Sequence, residues 1–208
     1  MTTRTYQFLL AGVVVLLGLY GHWFLTAQHE AISNAVFENE KQATAEYIRG
    51  QAKTLVSEGM FTTASGPVQR AAFAKFFKKI QSVDIVRIKV WDKNYTVIWS
   101  DLSETIGQQF KDNHEVEEAL DGEIELELSA ETGKSEHVTE RQFQNIVEIY
   151  VPITDVRGSI VGVIEVYKQA AGVEEKIDGP YQTLLMQTIF GSLIGFGLIA
   201  FVLRRFIR

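Results

Sequence analysis

The stretch Ile85-Val86-Arg87-Ile88-Lys89-Val90-Trp91 alternates charged or large polar-tipped residues with aliphatic ones. In an extended chain successive side chains point to opposite faces, so Arg87, Lys89 and Trp91 form one row and Val86, Ile88 and Val90 the other. Two cations and an indole in a row could hold an anion. The Arg87 fork would donate two parallel hydrogen bonds to a carboxylate while Trp91 packs the apolar part of the ligand. The same row on a solvated strand would make only cross-strand pairs with acids such as Glu148 or Glu165, since Lys and Arg are seldom buried unless paired. The spacing leaves both readings open.

A second row, Glu123, Glu125 and Glu127, has Glu115, Glu117, Glu118 and Asp121 nearby in the sequence. A divalent cation could bridge such carboxylates, a weak alternative to a charged edge strand kept soluble by repulsion. The four histidines, His22, His29, His114 and His137, lack metal-ligand spacing, and the chain has no Cys for thiolate sites. There is no G-x-S-x-G, P-loop or H-E-x-x-H motif. No catalytic residue and no cofactor are therefore expected.

These rows need elements to carry them. Phe8 to Ala27 and Tyr181 to Leu203 contain no Asp, Glu, Lys or Arg, and each is long enough to cross about 30 Å of hydrocarbon as a helix. The expected organisation is a stub and first span over 1–27, an external domain over 28–180, a second span over 181–203 and a basic end over 204–208. Arg4, Arg204, Arg205 and Arg208 flank the spans, which favours a two-pass membrane protein with both termini cytoplasmic. The apolar core of the first span is long for a cleavable signal, and Leu25-Thr26-Ala27 is a poor cleavage site, so an uncleaved anchor is expected. With the four flanking arginines set aside, 26 acidic residues face 16 basic ones in the middle, a net charge of −10. That balance argues against a nucleic-acid partner and against simple adhesion to anionic lipid.

Beyond the first span, Ile32, Val36, Ala43, Tyr47, Ile48, Ala52, Leu55 and Val56 trace an apolar seam on a continuing helix. Glu30, Glu38, Glu40, Lys41 and Glu46 are assigned to its wet face. Gly59 and Ser65-Gly66-Pro67 end it, and Pro67 opens a second helix burying Ala72, Phe73, Phe76, Phe77 and Ile80. A hairpin follows, turning at Asp92 to Tyr95, where Asn94 tolerates a left-handed backbone. Asn113 to Leu120 reads as a short helix capped by Asn113 and stopped by Gly122. Glu123 to Leu128, Gln144 to Ile153 and Ser159 to Tyr167 read as strands. The fold class is α+β, an antiparallel sheet of about five strands with helices on one side. Gly179-Pro180 is expected to break the chain before the second span, and Gly191 and Gly195 form a G-x-x-x-G that suits close helix packing in a homodimer.

Three sets of residues carry a family likeness: Val86 to Asp92 with Ile98-Trp99-Ser100-Asp101 and Ile106-Gly107; Glu118-Ala119-Leu120-Asp121-Gly122; and Glu148 to Ile153 with Val161 to Tyr167. Their order and spacing over Ile85 to Tyr167 resemble the Cache (extracytoplasmic PAS-like) sensor domains of bacterial sensor histidine kinases, diguanylate cyclases and chemoreceptors. The departures are Asn94-Tyr95 where the family often has Gly, and the lack of the usual output domain after the second span. The resemblance implies a pocket on one sheet face for a small anion such as a carboxylate or amino acid. On that basis Arg87, Lys89 and Trp91, with Trp99, Tyr150 and His137, are the expected ligand contacts. The function expected is a membrane-anchored signal input module read by a cytoplasmic effector, attached or separate. The rival is a bitopic scaffold binding another envelope protein.

Overall fold

The computed structural model describes residues 3–62, 66–82, 84–129 and 146–207. They divide into two compact units, Met1–Val36 with Glu174–Arg208, and Phe37–Val173. In the first unit the apolar side chains of both helices are largely exposed, as Phe8, Leu16, Trp23, Leu193 and Phe201 illustrate. The helices are α1 (Thr3–Leu55) and α4 (Ala170–Ile207), and each is long and apolar enough to cross a membrane. The His29 and Tyr181 rings meet edge to face with centroids 4.8 Å apart. Gly179-Pro180 does not break the chain: Pro180 lies inside α4. Proline removes one backbone donor, and the helix nonetheless runs on through it; the Thr183 hydroxyl donates to the Gly179 carbonyl one turn back at 3.1 Å.

The second unit contains the sheet. Its strands are β1 (Ile85–Trp91), β2 (Val97–Ser100), β3 (Glu125–Ser129), β4 (Ile146–Thr154) and β5 (Ile160–Gln169), in the order β2-β1-β5-β4-β3, all pairs antiparallel. This is the PAS-like α+β architecture expected from the sequence. The Asp92–Tyr95 turn is held by Asp92, whose Oδ1 accepts from the amides of Asn94 and Thr96. The residue with positive φ is Tyr95, at 59°, and not Asn94.

One sheet face is hydrocarbon. Ile88, Val90, Val147, Ile149, Val151, Ile164 and Val166 are buried there, as alternation and register place them together. On this side Phe73 and Phe77 of α2 (Pro67–Ile80) stack near Trp99, each with centroids 6.1 Å away. α2 buries Gln69, Phe73, Phe76 and Ile80, with Ala72 and Phe77 half-covered. Gln69 is drawn inward because its amide donates to the carbonyls of Met60 and Thr62. The buried stripe of α1 is Glu40, Thr44, Ala45, Ile48 and Ala52, while Ala43 and Tyr47 face outward. Glu40 leaves its expected wet face because Lys168 of β5 pairs with it, a contact no helical periodicity could reveal.

Helices flank both faces of the sheet and not one side, as the sequence suggests, because both faces are apolar enough to need cover. α3 (His114–Asp121) packs on the other side, where Val116 and Ala119 join Trp91, Val97, Phe110, Tyr150 and Val163 in one cluster. Its ends match the sequence signals: Asn113 Oδ1 accepts from Val116 N at 2.7 Å, and Gly122 closes the helix at φ 111°.

Gly162 of β5 lies where a Cβ would stand 2.4 Å from the Trp91 carbonyl oxygen and 2.5 Å from Phe61 Cδ1. Neither neighbour is the free end of a flexible chain. Gly162→Ala is expected to destabilise the domain by roughly 1–3 kcal/mol through overpacking, measured as a lowered thermal midpoint of the detergent-solubilised chain; an unchanged midpoint would contradict the close approach.

Candidate functional site

Register decides which side chains share the second face. β1 pairs Arg87 with Tyr167, Lys89 with Glu165 and Trp91 with Val163 on β5. β4 pairs Glu148 with Tyr167 and Tyr150 with Glu165. Arg87, Lys89, Trp91, Glu148, Tyr150, Glu165 and Tyr167 therefore line one surface, all at 0–2% exposure. The row is not a solvated strand face. The cross-strand pair of Lys89 with Glu165 does form, but it forms in the interior.

Specific contacts knit the layer together. Lys89 Nζ donates to the Tyr167 hydroxyl at 2.6 Å and lies 3.9 Å from Glu165 Oε1. The Trp91 indole donates to Glu165 Oε2 at 2.7 Å, and Tyr150 donates to Glu148 Oε2 at 2.9 Å. Arg87 reaches Asp101, just past β2, with Nε 3.4 Å from Oδ2, and its guanidinium carbon lies 5.5 Å from the centre of the Tyr167 ring. Asn113, the cap of α3, hydrogen-bonds Tyr150. Burial, the Glu165 and Glu148 charges and the hydrogen bond to Glu148 hold the Tyr150 hydroxyl well above its ordinary pKa.

The expected contacts separate into groups. Arg87, Lys89, Trp91 and Tyr150 come together. Trp99 does not join them: the register shifts between Val90 and Trp91, so Val97 pairs with Trp91 on the polar face while Trp99 pairs with Val90 on the hydrocarbon face. His137 lies outside the described residues. Sequence reasoning missed Glu148, Glu165, Tyr167, Asp101 and Asn113 as members. A signal for three of them was present, because Glu148-Ile149-Tyr150 and Glu165-Val166-Tyr167 repeat a Glu-x-Tyr spacing inside otherwise aliphatic strands.

Glu125 and Glu127 share a face of the edge strand β3, whereas Glu123 precedes it and is exposed. Lys41 of α1 approaches Glu125 to 4.0 Å. Desolvation raises the Glu125 pKa; Lys41 opposes the shift while Glu118, Glu123 and Glu115 reinforce it. Among the described residues no group of three or more His, Asp or Glu is arranged to hold a metal ion. Gly191 and Gly195 lie on α4 with open space where a Cβ would stand.

No protein-family model matches the chain, and no curated protein matches it. Solved structures similar to it include the E. coli DcuS sensor domain, at 19% identity over 66% of this chain and 97% of that one, TM-score 0.45. The sensor domain of the V. cholerae histidine kinase DctB is similar at 18% identity over 83% of this chain and 60% of that one, TM-score 0.49. The sensory domain of the Campylobacter jejuni chemoreceptor Tlp3, with isoleucine bound, is similar at 13% identity over 77% and 64% respectively, TM-score 0.47. The chain thus spans under two thirds of the DctB and Tlp3 chains.

Two measurements test the buried layer. Lys89→Met strands the Glu165 carboxylate and is expected to cost about 3–5 kcal/mol, with Lys89→Met/Glu165→Leu losing less than the single variant by urea denaturation. A raised tyrosine pKa means the neutral hydroxyl is the form the fold favours. Its contribution is complete below the ordinary value of 10.0 and is lost as pH rises toward the higher folded value. Tyr150→Phe should therefore show a shallower loss of stability above that pH than the unaltered chain; identical alkaline profiles would contradict it.

Proposed function

We propose that the chain is the signal input module of a two-pass protein of a bacterial inner membrane, with both termini cytoplasmic and the acidic domain outside. The observation that carries this reading is the ionisable layer on one sheet face. Packing does not require Arg87, Lys89, Glu148 and Glu165 in an interior, and burying such groups is costly unless they are paired. Groups held this way are more typical of binding sites than of structural cores.

The ligand class that fits is a small organic anion. Arg87 faces Asp101 and Lys89 faces Glu165, so an entering carboxylate would exchange with an internal one. Such an exchange gives the ligand differential affinity for two arrangements of β1 against β5, which any switch needs. β5 then supplies a route outward. Glu165 and Tyr167 lie on the polar face, Lys168 pairs with Glu40 and Thr44 of α1 on the other, and α4 begins at Ala170 with no linker. α1 and α4 each carry residues of both units. A homodimer with Gly191 and Gly195 at the α4 contact, read by a cytoplasmic effector, completes the proposal.

A second reading, a scaffold binding another envelope protein, draws support from the complete closure of the layer, since Lys89, Trp91 and Tyr150 all stand at 0% exposure. A thermal-shift screen of the full chain against small organic acids, amino acids and divalent cations separates the two. The sensor reading expects at least one organic acid to raise the midpoint and Arg87→Ala to abolish that rise. A silent screen favours the scaffold, and an unchanged rise in Arg87→Ala removes the sheet face as the site.

A further inference from the structure

A cleft of about 880 Å³ opens where the last turns of α1 meet the end of β4 and its turn into β5. Its size is that of a small-molecule site. Its floor is apolar, formed by Ala52, Phe61 and Ile153, all buried. Val156, 91% exposed, stands at its edge. None of these residues belongs to the ionisable layer of the sheet.

The charged groups around the cleft are not equivalent. Arg49 is half-buried, and its Nε donates to the Pro152 carbonyl at 3.0 Å, which fixes the plane of the guanidinium. Among the described residues neither terminal nitrogen of that guanidinium has a hydrogen-bond or ion-pair partner. Burial alone lowers the Arg49 pKa, with no carboxylate offsetting it. Lys53, one helical turn further along α1, is exposed and makes no side-chain hydrogen bond or ion pair among the described residues. The two acids are engaged differently. Glu58 Oε1 accepts from Val156 N at 2.8 Å, and Asp155 Oδ1 accepts from the amides of Arg157 and Ser159, each at 2.8 Å. The carboxylates thus serve the local backbone, while the cations keep donors for a visitor.

We propose that this cleft is a second binding site, for a small monocarboxylate with an apolar body. The free end of the Arg49 fork would hold the carboxylate through two parallel hydrogen bonds. Lys53 adds a point charge, and the hydrocarbon part lies on Phe61 and Ile153. Two cations and two carboxylates make the lining formally neutral, which selects a monoanion over a dianion. Phe61 also packs against Gly162 of β5, so occupancy of the cleft bears on the strand that carries Glu165 and Tyr167.

Calorimetric titration of the full chain in nanodiscs with benzoate, with benzylamine as the opposite-charge probe, tests this. Benzoate is expected to bind and benzylamine not. Arg49→Lys keeps the charge but loses the fork, and should weaken benzoate by roughly tenfold or more; Lys53→Ala, at an exposed position, should weaken it several-fold. Absence of benzoate binding to the unaltered chain overturns the proposal, as does equal binding in both variants. A loss that follows Arg87→Ala and not Arg49→Lys would assign benzoate to the sheet face, leaving the sensor reading intact and this one refuted.

Discussion

The central constraint in this domain is the pairing of Lys89 with Glu165 across β1 and β5, in a layer that water does not reach. A buried ammonium or carboxylate alone would be expelled or neutralised. Together, with Tyr167 on the amine and the Trp91 indole on the carboxylate, they can remain. Each satisfied group fixes its neighbour: Glu165 orients Trp91, Trp91 packs against Phe110 with centroids 5.9 Å apart, and Phe110 shares a cluster with Val116 of α3. The charge pair is thus linked through Trp91 and Phe110 to the seat of α3 on the same sheet face. Replacing the pair with hydrocarbon is expected to leave a simpler core of similar stability, so cohesion alone does not account for the ions.

The sheet divides its labour by side. The hydrocarbon face packs against α1 and α2, and the ionisable face holds the buried charges. Three register shifts, in β1 against β2, β1 against β5 and β4 against β5, adjust which residues fall where. The shift at Val90/Trp91 has the largest consequence, since it moves Val97 into the cluster under α3 and holds Trp99 against the phenylalanines of α2. One inserted residue decides the environment of an indole.

That bulge also marks how far the sequence could be read. Elements with local causes were legible: the α3 cap at Asn113, its Gly122 stop, Pro67 at the start of α2, the alternation of β1 and the two apolar helices. What was not legible depended on pairing. Alternation along β2 cannot say which strand partner shifts by one, so Trp99 was assigned to the wrong face. Glu40 and Lys168 are 128 positions apart, and an acid on a helix reads as solvated until its partner is known, so the seam drifted toward Ala43 and Tyr47. Glu148 and Glu165 looked like outward partners for Arg87 and Lys89 because burial of all four together is improbable for any one of them alone. Pro180 reads as a breaker because a proline inside a helix removes one backbone hydrogen bond, yet a long apolar helix tolerates that single loss and continues through it.

In the proposed sensor, the placement of β5 follows from the same reasoning. A loop between a binding site and an output helix absorbs displacement by changing its own dihedrals. Here the chain passes from Tyr167 on the ionisable face, through Lys168 bound to α1, to Ala170 at the start of α4 within three residues, and Ala170 and Val173 are themselves buried. A strand held on both sides by β1 and β4 cannot slip by a whole residue, because each such slip exchanges its two faces. The motion available is a small shift of the whole strand against its neighbours, and the Lys168–Glu40 pair is the first contact such a shift would load. In that proposal a ligand altering the Lys89–Glu165 distance would act on α1 and α4 together, and the balance between this buried pair and the part-buried Lys168–Glu40 pair would set which arrangement the domain adopts.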